Sequence, residues 1–206
     1  SRRQDSLKLR VQSFISAGRT IGTGAKAADY FCEAAAILGG VLDKPRSAIA
    51  VYERASRAHL SSIEALYALI ELFRSLNEPE GALKSIERLL PQLDSNEKAF
   101  SLEIRADIYE NLLDDAEKAA ESRHAVLELE PGQRVSALAL ERHYRRRGDV
   151  RQAINVRLAL VECDNQMERK AQSLAFLSES AAQELEDLEL AQELADAALF
   201  INPKLQ

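Results

Sequence analysis

Apolar residues along this chain recur at spacings of three and four, the period of helices with one buried face. The stretch around Tyr144–Ala153 shows it best. Ala137, Leu140 and Tyr144 share one helix face. Gly148 can take the positive φ that ends a helix, and Asp149 can cap the next one. Ala153, Ile154, Val156, Leu160 and Val161 then give a second apolar stripe. The pattern predicts two antiparallel helices joined by a tight turn, with Ala153 small so that they approach closely.

The same plan repeats. The first unit has a helix over about Ala25–Val41, a turn at Leu42–Pro45 and a second helix over about Arg46–His59. The second has Leu66, Leu69, Ile70 and Phe73, a turn at Asn77-Glu78-Pro79, then Ala82, Ile86 and Leu89. The third has Leu102, Ala106 and Tyr109, a longer turn at Asp114-Asp115, then Ala119, Val126 and Leu127. The fifth has Leu174, Leu177, Ser178 and Ala181, then Ala191, Ala195 and Ala198. Alanines just after the turns fall at 48, 82, 119, 153 and 191, so the spacings are 34, 37, 34 and 38. One extra turn residue and a longer linker are the expected reasons for the two long intervals. Ahead of the repeats, Leu7, Leu9, Val11, Phe14 and Ile15 predict a helix over 1–18 with a basic start, and Arg19–Gly24 reads as a loop.

The spacing Tyr-x3-Gly-Asp-x3-Ala resembles the tetratricopeptide repeat (TPR), a unit of about 34 residues. Ala35 with Ala36 matches its close-packing pair, Ala48, Tyr52 and Ala55 its second-helix positions, and Leu129-Glu130-Pro131 its closing motif. The sequence departs from the pattern at the turn glycine, kept only at Gly148, and at the small first-helix position, which holds Ile70 and Glu141. The resemblance implies an all-α solenoid of about 11 helices in a right-handed superhelix. The expected division is 1–24 as cap and loop, then repeats at 25–60, 61–95, 96–132, 133–166 and 167–206.

Composition narrows the function. With 46% apolar residues, 5% aromatics, five prolines and eight glycines, an all-helical chain with a real core is expected. A net charge of −6 argues against general nucleic-acid affinity, despite the basic run Arg142–Arg147. Cys32 and Cys163 form neither a disulfide framework nor a metal site, and His59, His124 and His143 stand apart. No run reaches the ~18 apolar residues of a membrane span. Gly22-Thr23-Gly24 with Ala27 fits a dinucleotide fingerprint in letters only, because a helix precedes it where a strand is required. No catalytic, cofactor or metal constellation is found, so no enzyme is expected. Cysteine usage leans towards the cytoplasm; a periplasmic array would look the same. The start on Ser1 without Met suggests part of a larger polypeptide.

In the TPR family the first helices of the repeats line a concave groove that holds a peptide or helix. In register, the groove positions here are Tyr30 and Glu33, then Tyr67, Glu71 and Arg74, then Glu103, Asp107 and Glu110. Arg142, Arg145 and Arg146 follow, then Phe176 and Glu179. Carboxylates in the middle and guanidiniums after them suit a charged peptide; ion pairing between repeats is the plainer explanation. The Lys and Asn clamp by which some TPR domains hold acidic chaperone termini is absent, its positions being filled by residues such as Glu33, Ile37, Ala68 and Glu71. The implied function is a non-catalytic scaffold for a protein or peptide partner. The alternatives are a self-associating spacer, which would make a homo-oligomer, and a regulatory repeat domain of a larger enzyme or transcription regulator.

Overall fold

The computed structural model describes residues 2–204 and is all-helical there. Ser1, Leu205 and Gln206, which the expected first helix and fifth repeat include, lie outside the described residues. The eleven α-helices are α1 (Arg2–Ile21), α2 (Ala25–Ala36), α3 (Pro45–Ala58), α4 (Ile63–Ser75), α5 (Pro79–Leu89), α6 (Ser95–Asn111), α7 (Ala116–Leu129), α8 (Arg134–Arg146), α9 (Val150–Glu162), α10 (Met167–Glu184) and α11 (Leu188–Ile201). A π-helical turn, Ile37–Val41, extends α2. The contacts divide the chain into two compact units, Ser1–Asp94 and Ser95–Gln206.

In the first unit α1 packs on α2, α2 pairs with α3, and α4 pairs with α5. Leu66, Leu69, Ile70, Ile86 and Leu89 are fully buried there. In the second unit the pairs are α6 with α7, α8 with α9, and α10 with α11. Ile154, Val161, Leu174, Leu177 and Leu194 form one core, and Leu140, Val156 and Leu160 another. Each of these side chains stabilises the fold by roughly 1.5–3 kcal/mol on burial. The five alanines after the turns are all buried, which lets the paired helices approach.

The turns share one device. Asp43, Asn77, Asp114, Gly148 and Glu186, each five residues before its alanine, have positive φ between 50° and 76°. The backbone therefore takes the helix-ending left-handed conformation at every turn, although only one supplies glycine. Two turns are tight: the Glu78 and Asp149 amides donate to the Phe73 and Tyr144 carbonyls, at 2.8 and 2.9 Å. Three are wider by one residue, with Lys44, Asp115 and Asp187 donating to Leu38, Tyr109 and Ala181. The wide turn is thus not peculiar to the third hairpin. The long repeat intervals come mainly from first helices with an added turn: α6 and α10 have 17 and 18 residues, α4 and α8 have 13.

The expected loop at Arg19–Gly24 is shorter. Helix α1 runs to Ile21, and the left-handed Gly22 ends it, at φ 87°. Gly18 stays inside the helix because it seats the Phe31 ring: a Cβ there would lie 2.9 Å from ring carbons.

Candidate partner-binding face

The first-unit candidates are Tyr30 and Glu33 on α2, and Tyr67, Glu71 and Arg74 on α4. Tyr30 faces the Phe14 ring of α1 at 6.0 Å, and the Arg10 guanidinium lies 5.3 Å from that ring. Arg10, Phe14, Lys26, Asp29, Tyr30 and Glu33 line a hollow of about 370 Å³. Glu71 accepts from Arg74 at 3.0 Å, so these two answer one another. Cys32 is buried nearby, and burial, with Glu64 next in weight, pushes its thiol up to about 11. It is a core residue.

In the second unit most of the candidate charge is spent internally. Two of the α6 carboxylates, Glu103 and Glu110, turn to Arg123 of α7, at 3.6 and 2.5 Å. Glu103 also accepts from the Ser136 hydroxyl of α8. Asp107 accepts from Asn111 at 2.6 Å. Arg145 of α8 donates to both Glu184 oxygens at 2.6 Å and to Ser180 at 3.3 Å, both on α10. Its guanidinium also reaches Glu141 and lies 5.9 Å from the centre of the Phe176 ring. The hydrogen bond to Arg145 holds the Glu184 carboxyl below its ordinary range. Arg147 caps α8 and donates to both oxygens of Glu117 on α7, at 2.7 Å. Beside it, His124 and Tyr144 share a 2.6 Å hydrogen bond, and burial lowers the His124 pKa.

Two arginines remain. Arg142 meets only the Leu138 carbonyl, at 3.3 Å, and Arg146 has no ion-pair partner among the described residues. They stand one helical turn apart on the exposed side of α8, beside Arg145. Phe176 and Glu179 on α10 are also exposed, Phe176 by 49%.

Two residues outside the candidate set hold carboxylates of the second unit. Arg123 and Arg157 each lie four residues after a turn alanine, on the inner face of the second helix. Arg157 donates to Glu141 at 2.9 Å. Glu141 fills the small first-helix position and is only 8% exposed. A carboxylate there is tolerable because Arg145 and Arg157 both answer it. The spacing of four after Ala119 and Ala153 was the signal available in the sequence.

Among the described residues no three His, Cys, Asp or Glu side chains converge as a metal site. No helix there is long and apolar enough to cross a membrane.

The arrangement of paired helices is similar to that of solved structures. YrrB, described as a TPR protein with an unusual peptide-binding site, is 17% identical, with 94% of each chain covered and a TM-score of 0.52. The chain has a TPR fold. The MamA protein is 16% identical over 86% of this chain and 92% of that one, with a TM-score of 0.52. PilF of Pseudomonas aeruginosa is 15% identical over 100% and 96%, with a TM-score of 0.50. These identities speak for the TPR fold alone. No protein-family model matches the chain, and no curated protein matches it.

Proposed function

We propose that this TPR-fold chain is a non-catalytic interaction module that binds an acidic segment of another protein through α8 and α10. One observation carries the reading. Of the arginines clustered at the end of α8, Arg145 and Arg147 are held by carboxylates of the fold, while Arg142 and Arg146 are not. A guanidinium with no internal carboxylate is a fork open to an external one. The committed neighbours hold α8 against α7 and α10, so the open pair stands on a rigid helix. Exposed Phe176 adds an apolar surface for a residue next to the partner's carboxylates.

The test is a fluorescence-anisotropy titration with labelled peptides of alternating Glu and Leu. The wild type binds in a salt-sensitive way. Arg142→Glu with Arg146→Glu loses at least tenfold in affinity. Equal binding by this variant and by the wild type refutes the reading.

A further inference from the structure

Helices α1 and α11 carry opposite charge on surfaces that the described fold leaves open. Helix α1 has five basic residues, among them Arg3, Lys8, Arg10 and Arg19, against one acid, Asp5. Helix α11 has three acids, Glu189, Glu193 and Asp196, and no base. None of these three acids has a cationic partner among the described residues; Asp196 accepts only from Gln192, at 2.9 Å.

The outer face of α11 is also apolar in part. Leu188 is 73% exposed, Leu199 45% and Phe200 90%. The preceding hairpin shows what that face accommodates. Val150 and Val161 of α9, 38 residues before Leu188 and Leu199, pack into the core that α10 helps to build. Where α9 has Ile154 and Leu158, α11 has Gln192 and Asp196. The surface is thus built for a helix, and for one more polar and more basic than α10.

Helix α1 offers those properties. Leu9, Ser13, Ser16 and Thr20 lie on its exposed side at spacings of four, three and four. Lys8 and Arg19 flank that ridge on one side, and Arg3 and Arg10 on the other. Beside it runs an open groove of about 530 Å³ lined by Ser13, Ala17, Ile21, Lys26 and Tyr30 among others. We infer that α11 of one copy docks on α1 of a second copy, with Phe200 in the α1–α2 groove and Glu189, Glu193 and Asp196 facing the α1 bases. The two surfaces differ, so the contact is head to tail and leaves one free surface of each kind for further copies.

Sedimentation velocity of the 206-residue chain across a dilution series at low salt tests this, with circular dichroism confirming that each variant is helical. The weight-average mass of the wild type rises with concentration and falls towards the monomer as salt screens the contact. Glu189→Arg with Glu193→Arg, Arg3→Glu with Arg10→Glu, and Phe200→Glu each weaken association at least tenfold. Mixing the two charge-reversed proteins restores assembly, because each supplies the partner that the other needs. A constant monomer mass, assembly that survives the reversals, or a mixture that stays monomeric overturns the inference.

Discussion

The two compact units build the same hairpins with different means. In the first unit the starts of α2, α3, α4 and α5 have no side-chain cap: Gly24, Lys44, Ser62 and Glu78 leave the amides uncapped, and Pro45 and Pro79 open α3 and α5. Proline is suited to that position because its φ is fixed near helical values and its missing amide has no helical partner. In the second unit Asp115, Asp149 and Asp187 open α7, α9 and α11, each accepting an amide hydrogen three residues on. Interiors differ in the same sense. The buried polar residues of the first unit are Ser56 and Ser85, whereas the second buries Arg123 and Glu141. The first unit keeps its ion pairs, such as Arg46 with Glu78 at 2.7 Å, on the surface, whereas the second also buries charge. The second also presents Arg142 and Arg146, two arginines without a carboxylate partner one turn apart on one helix. A fold that already organises guanidiniums with carboxylates can present two more of them in a fixed geometry.

The largest expected effect lies in the buried charges. Glu141→Ala strands Arg157 and loosens Arg145, and it should cost about 3 kcal/mol of the second unit's stability in urea unfolding. Pairing it with Arg157→Phe should recover most of that loss; no recovery would mean that the ion pair does not account for the cost. In the first unit the matching weak point is steric. A Cβ on Gly81 would lie 2.5 Å from the Phe73 ring. Gly81→Ala should therefore cost roughly 2 kcal/mol, and Phe73→Leu in the same chain should relieve it.

Caps come next. Asp149→Ala or Asp187→Ala should each cost about 1 kcal/mol. Acid sharpens this comparison. The Lys118 amide and side chain hold Asp115 below its ordinary range. Arg151 and the Leu190 amide do the same for Asp187. Groups lowered in the folded state stabilise it above their unfolded pKa, and that contribution fades as pH falls through the folded value. Amide exchange across 95–204 should therefore accelerate below about pH 4, the ordinary carboxylate range, before that across 2–94, where Pro45 and Pro79 do not titrate. Simultaneous acceleration would erase the contrast. The smallest effect is a gain: Glu186 is left-handed at φ 54°, and Glu186→Gly should raise the melting stability by about 1 kcal/mol.

Much of the fold was legible in the sequence, because buried alanines after the turns repeat on a helical period. The left-handed turns were harder to read. Asp43, Asn77, Asp114 and Glu186 carry no glycine signature, and the chain accepts their strain because hairpin packing fixes the turn. The candidate face was legible only as a surface stripe. Periodicity tells which side of α8 a side chain leaves from. It does not tell that Arg145 swings onto Glu184 while Arg142 and Arg146 stay open, since Glu184 lies 39 residues on. Arg123 and Arg157 escaped notice because an arginine on an inner helix face looks like a misfit until its carboxylates are in place.

The most direct test reads each guanidinium separately. Arginine side-chain resonances, assigned by substitution, can be followed while an acidic peptide is titrated in. Shifts at Arg142 and Arg146, with Arg145 and Arg147 unmoved, are the predicted result. Shifts at Arg145 or Arg147 while Arg142 and Arg146 stay fixed would contradict it.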